Sequence, residues 1–241
     1  GFTTRPFFFW FGPGMHPIES KLIHTRWGLL LLLAVTGFAY AGALGAGFVW
    51  DDFPLVVDNP RVHSFEHWSS WFGEDLWVSS SAEVESGFYR PLVLASFAFD
   101  HAVWGGSPAG FHLQSLLWHL LAVVLVYRLF CGLVSRDAAL LGAAFFALHP
   151  ALSESVVWVA ARNDLMATAF LLGALLSVSE ARTSRRGLVL GGLCFLGALL
   201  SKESSVLGLG LLVALDWAKW GRLRGGARYV AMGLALVVWW G

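Results

Sequence analysis

The sequence predicts an all-α chain: a polytopic membrane helix bundle of about seven spans, with a long first outer loop containing interfacial helices. Three observations predict it. Hydrophobic residues make up 57% of the 241 and charged residues only 13%, against roughly 25% charged in ordinary soluble domains. Apolar stretches such as 27–49 and 111–130 supply the ~20 residues a helix needs to cross the hydrocarbon core. Their apolar residues run continuously instead of alternating, which argues against a transmembrane barrel.

The elements follow from charge placement, because cytoplasmic loops of membrane proteins collect Lys and Arg. Arg5, Lys21 and Arg26 precede the first apolar run. Arg128 and Arg136 follow the second. Arg182, Arg185 and Arg186 form a third cluster, and Lys219, Arg222, Arg224 and Arg228 a fourth. Residues 1–26 are therefore expected to be a cytoplasmic N-terminal segment, and 27–241 a single membrane domain. Span 1 runs outward over 27–49. The first outer loop covers 50–109. Spans 2 to 6 alternate over 110–131, 137–150, 164–180, 187–201 and 205–218, and span 7 begins near 228. The stretch "PLVLASFAFDHAVW", 91–104, is short and carries Asp100 and His101. Counting it as a span would put the Arg128–Arg136 loop outside, so it is expected to be an interfacial helix on the outer face. Residues 1–14 precede Met15 and are expected to lie upstream of the native start. The chain ends inside an apolar run, which predicts a longer protein. The run 27–49 is long and lacks a small-residue cleavage site before the acidic pair, unlike a cleaved signal peptide. Two cysteines, Cys131 and Cys194, lie in or beside apolar segments and predict no disulfide framework.

On this path the outer loop holds Asp51, Asp52, Asp58, Glu66, Glu74, Asp75, Glu83, Glu85 and Asp100 against only Arg61 and Arg90. The basic residues outside the cytoplasmic clusters, Arg61, Arg90, Arg162 and Lys202, all map to the outer face. Five stretches converge at that depth: "WDD" (50–52), "YRP" (89–91), "HPALSE" (149–154), "ARND" (161–164) and "SKE" (201–203). Ionisable groups at span ends are costly to place and point to function. Together they supply a carboxylate able to deprotonate a hydroxyl and cations able to stabilise a departing phosphate. Structural readings stand beside these. Asp51 and Asp52 also suit the start of a solvated loop. Arg162 and Asp164 also suit a structural ion pair, Lys202 and Glu203 an interfacial cap, and His149 before Pro150 a helix end. His63 and His67 have metal-pair spacing but no third ligand nearby. His112 and His119 suit a helix face. The 13 tryptophans largely suit interfacial anchoring.

The order "FVWDD…DNP…W…W", "YRPLVLASFAFD", "GSPAGFHLQSLLWHLL", "FFALHPALSESVVWVAARNDLMATAFLL" and "LLSKESS" resembles the GT-C glycosyltransferase superfamily. Within it, the similarity is to the transmembrane and tetratricopeptide-repeat O-mannosyltransferases and their bacterial homologues. It covers about residues 27–206. The resemblance implies transfer of a sugar, mannose among the candidates, from a polyprenyl phosphate carrier to an acceptor hydroxyl on the lumenal or periplasmic face. The acceptor class it implies is a protein Ser or Thr, with a glycan or lipid acceptor as the alternative. It makes Asp51 or Asp52 the catalytic base. It places Tyr89, Arg90, Arg162, Lys202 and Glu203 around the donor, with His149, Glu154 and Asp164 shaping the pocket. Partners would be the lipid-linked sugar, a protein acceptor and membrane lipid, with no nucleic acid. The location implied is a bacterial inner membrane or the endoplasmic reticulum. No metal ligand set is assigned, and a divalent ion stays open because relatives differ. Asp100 stands where relatives usually carry a polar or aromatic residue. No 34-residue tetratricopeptide repeat is legible in this chain. A transporter would need ionisable groups near the bilayer midplane. A non-catalytic scaffold acting through a C-terminal repeat region would tolerate replacement of the acids.

Overall fold

The computed structural model describes residues 25–78, 86–179 and 184–240. The N-terminal stretch 1–24, the loop acids Glu83 and Glu85, and Arg182 lie outside the described residues. Every regular element among the described residues is helical. Among the described residues, three helices are long and apolar enough to cross a membrane, or four if one bent pair is a single span.

Helix α1, Thr25–Ala39, continues through a 3-10 turn at Ala41–Gly45, giving a 19-residue apolar run from Trp27. Its Trp27, Leu31, Val35 and Phe38 side chains stay exposed, as a lipid-facing stripe would be. The chain then enters an irregular outer segment. Short turns lead to α2, Trp68–Gly73. Arg61 organises this stretch from inside. Its guanidinium donates to the Ser70 carbonyl (2.7 Å), the Asp75 carbonyl (3.0 Å) and the Val78 carbonyl (2.7 Å), while its own carbonyl accepts from the Trp71 indole at 2.8 Å. A buried guanidinium with so many acceptors is a structural clamp, not an anion site.

Helix α3, Pro91–Trp104, starts with proline at a position that needs no amide donor and stops at Gly105, whose φ is +60°. It has 14 residues and packs Val93, Leu94 and Phe97 against Leu55, Val56, Val62, Trp71 and Phe111. Gly110 lets the next helix approach it closely: a Cβ there would lie 2.2 Å from the Trp104 ring. That helix, α4, runs over 24 residues, Pro108–Cys131.

Helix α5, Arg136–Leu148, begins at the Ser135 N-cap. A span over 137–150 was expected here. The helix ends at Leu148, within two residues of that end, and after His149 the Pro150–Val157 turns, which include α6, Ser153–Val157, bend away by 50°. Proline supplies no donor and pushes the preceding residue out of helical geometry, so the break follows from the sequence. Helix α7, Arg162–Ser179, extends an apolar run from Val159. Helices α8, Arg185–Leu199, α9, Gly208–Trp220, and α10, Gly226–Trp240, complete the bundle. The core of α7 to α10 is built from Ala174, Val178, Phe195, Leu199, Leu212 and Met232, while Leu32, Val123, Val126 and Ala143 join α1, α4 and α5.

Candidate active site

The turn after the first apolar run sets the site. Trp50 has φ +46°, the only positive value for a non-glycine among the described residues. Such a conformation costs roughly 1–2 kcal/mol for an L-residue, so the surroundings must hold it. Asp52 does much of the holding. The Val49 amide donates to Asp52 Oδ2 at 3.0 Å, and the Asp52 amide donates to the Val49 carbonyl at 2.9 Å. The Ala160 amide, just before α7, donates to Asp52 Oδ1 at 2.7 Å. Asp52 is fully buried, and burial pushes its carboxyl above the ordinary aspartate value against the pull of those amides. It staples the end of the first run to the start of α7.

Asp51, one residue earlier, faces the other way. It lines a polar cleft of about 350 Å³ together with Arg90, Glu154, Asp164 and Lys202. Leu76, Trp77, Phe88 and Trp158 supply the apolar walls. Asp164 pairs with the Lys202 ammonium. Arg90 grips Glu203 through two bonds, Nε to Oε2 at 3.0 Å and Nη2 to Oε1 at 2.8 Å. Burial pushes Glu203 up, but the hydrogen bonds and charge of Arg90 outweigh it and leave the carboxyl below its usual range. The pair joins the start of α3 to the turn before α9. The carboxylates lining the cleft (Asp51, Glu154 and Asp164) outnumber its two cations, and each cation already has an acidic partner. No group of three or more ligating side chains among the described residues converges as a metal site.

Other expected residues lie elsewhere. Arg162 is fully buried behind the cleft. Its Nη1 pairs with Asp100 Oδ2 at 2.5 Å, Nη2 donates to the Phe111 carbonyl at 2.7 Å, and Nε and Nη1 donate to Ser115 and Ser96, both at 3.2 Å. It ties α3, α4 and α7 together and does not line the cleft. Tyr89 donates its hydroxyl to the Phe72 carbonyl at 3.1 Å. His149 caps the turn after α5, accepting from the Ala151 amide at 3.2 Å. It lines a separate apolar groove of about 730 Å³ with Phe145, Leu152, Leu172 and Leu211. Ala151 lines the polar cleft and Leu152 the groove, so the Pro150–Leu152 turn borders both.

Sequence reasoning missed Ser96, Ser115 and the Ala160 amide as partners, and gave Asp100 no counter-charge. One signal was available. Asp100 is the one carboxylate in the apolar stretch 91–104, and a buried charge needs a partner.

The sequence profile of dolichyl-phosphate-mannose-protein mannosyltransferases matches residues 90–240. Similar curated proteins include the protein O-mannosyl-transferase Tmtc2 of Drosophila melanogaster, 36% identical over 73% of this chain and 20% of its own length. The mouse protein O-mannosyl-transferase TMTC3 is 27% identical over 68% of this chain and 18% of its own. The human protein O-mannosyl-transferase TMTC4 is 30% identical over 83% and 30%. The chain thus spans 18 to 30% of the length of these relatives. No solved structure matches it.

Proposed function

The chain belongs to the dolichyl-phosphate-mannose-protein mannosyltransferase family, and from that premise we propose that it carries the donor-binding and catalytic part of an enzyme that moves a sugar from a polyprenyl phosphate to a protein hydroxyl. One observation carries the reading. A polar cleft with an accessible carboxylate lies one turn away from an apolar groove whose lining reaches from Leu152 to Leu133. A substrate with a sugar-phosphate head and an isoprenoid tail needs both compartments side by side.

Asp51 is the base in this scheme. Asp52 has both oxygens committed to backbone amides, whereas Asp51 lines the cleft. Asp51 accepts the proton of the acceptor hydroxyl, whose oxygen attacks the anomeric carbon. The bond from that carbon to the phosphate oxygen breaks, and polyprenyl phosphate leaves with the electron pair. Attack opposite the leaving group inverts the centre. Lys202 and Arg90 keep unused N–H donors for the phosphate while Asp164 and Glu203 hold them in place. Arg162 holds α3, α4 and α7 together through its ion pair and hydrogen bonds and does not touch the substrate in this scheme.

The seven-segment path is part of the proposal. Helices α1, α4, α5, α7, α8, α9 and α10 fall on the seven apolar segments in order, and α3 lies at the outer interface beside the cleft.

The test uses full-length protein in membranes supplied with labelled dolichyl phosphate mannose. Asp51→Asn at normal abundance is expected to lower transfer about 100-fold or more, the usual contribution of a positioned base. Undiminished transfer by Asp51→Asn would remove the base assignment.

A further inference from the structure

At the end of the bundle away from the cleft, two concavities meet. One, about 590 Å³, lies between α4, α7 and α8. The other, about 280 Å³, lies between α4, α7 and α9. They share Arg128 and Leu176. Three cations from three helices rim them: Arg128 near the end of α4, Arg186 in the first turn of α8, and Lys219 in the last turn of α9. Below the rim the walls turn apolar, with Leu125, Leu190 and Cys194.

Charge bias alone explains basic residues at this end, but not the convergence of three of them on the concavities. Of the basic residues here, Arg228 is used internally. Buried Asp216 Oδ2 accepts from the Arg224 amide at 2.8 Å, from Arg228 Nη2 at 2.7 Å and from the Tyr229 hydroxyl at 2.9 Å. The Arg224 and Arg228 guanidinium groups sit over the Trp220 ring, at 4.8 and 5.5 Å, and the Lys219 ammonium does so at 5.7 Å. Arg128, Arg186 and Lys219 form no ion pair among the described residues, and all three converge on the concavities.

We propose that these joined pockets bind the headgroup of an anionic phospholipid, its phosphate between Arg128, Arg186 and Lys219 and its acyl chain along Leu125 and Leu190. Basic pockets between spans select anionic headgroups because charge is drawn to charge at the lipid–water boundary, where screening is incomplete. Arginine adds a planar fork that fits phosphate oxygens. A cationic rim over an apolar wall matches a phospholipid better than a free phosphate, which has nothing to place against the leucines. The inference is independent of the transferase reading, since it concerns the opposite end of the bundle.

The test is native mass spectrometry of the full-length protein with phosphatidylserine or phosphatidylcholine added in equal amounts. Wild type is expected to retain phosphatidylserine preferentially. The triple variant Arg128→Gln, Arg186→Gln, Lys219→Gln should weaken retention by about fivefold per cation removed. Arg222→Gln, a basic residue outside the lining, should bind as wild type. Leu190→Trp, which fills the apolar wall without changing charge, should also lose the lipid; it keeps the question answerable if the triple variant fails to fold. Equal retention of both lipids, or unchanged phosphatidylserine binding in Leu190→Trp or in the folded triple variant, would overturn the proposal. Displacement of phosphatidylserine by inorganic phosphate at equal concentration would overturn it too, by making the pocket a free-phosphate site.

Discussion

An aspartate whose two oxygens both accept backbone amides cannot take a proton from a substrate without giving up one of those bonds, and that is the position of Asp52. In Asp52→Asn one of the two amides faces an NH2 group instead of an acceptor. The cost is about 1–3 kcal/mol for the lost partner, so a lower unfolding temperature and reduced abundance are expected, with activity per folded molecule much less affected than in Asp51→Asn. Equal loss per folded molecule in both variants would refute this division of roles. Asp100 makes a second prediction. Burial pushes its carboxyl from 3.8 up to about 6, against the attraction of Arg162. The native state then holds this proton more tightly than the unfolded state, so the Asp100 contribution to stability is full below about 4 and is lost as pH rises through about 6. Thermal unfolding at stepped pH should show that downward trend in wild type relative to Asp100→Asn, in which it is absent. A relative rise over the same interval would contradict it. The adjacency of Asp51 and Asp52 was legible in the sequence; their opposite environments were not, because those depend on an amide more than 100 residues away.

Helix contacts turn on small residues. Gly191 of α8 lies against α7, where a Cβ would sit 2.4 Å from Val178 Cγ1 and 3.5 Å from the Ala174 carbonyl. Gly191→Ala is expected to destabilise the bundle by about 1–3 kcal/mol through overpacking. Gly210 of α9 has nothing within 4 Å of the same position, so Gly210→Ala should be neutral or stabilising by up to about 1 kcal/mol. Unfolding temperatures of the two variants decide it, and equal shifts would mean that α7 and α8 do not pack as described. Element positions were largely readable, since Pro91, Ser135, Pro150 and Ser184 all stand at helix boundaries. The helix end at His149–Pro150 was legible, whereas the 50° bend of the segment after it was not, because its direction depends on packing.

For the molecule as a whole, the seven-segment path predicts that single cysteines at Gly106 and Trp158 label from one side of the membrane and cysteines at Val134 and Arg222 from the other, in a background lacking Cys131 and Cys194. Labelling of all four from one side would break the path. Hydrophobicity, proline and cap placement, and charge bias are local properties. They are enough to determine that this is a helical membrane protein and where most of its helices begin and end. Which carboxylate meets the cleft, and which arginine is sealed among Asp100, Ser96, Ser115 and Phe111, depends on partners distant in the chain. The same holds for the apolar groove beside the polar cleft, since its walls come from four helices and take shape only when those helices pack.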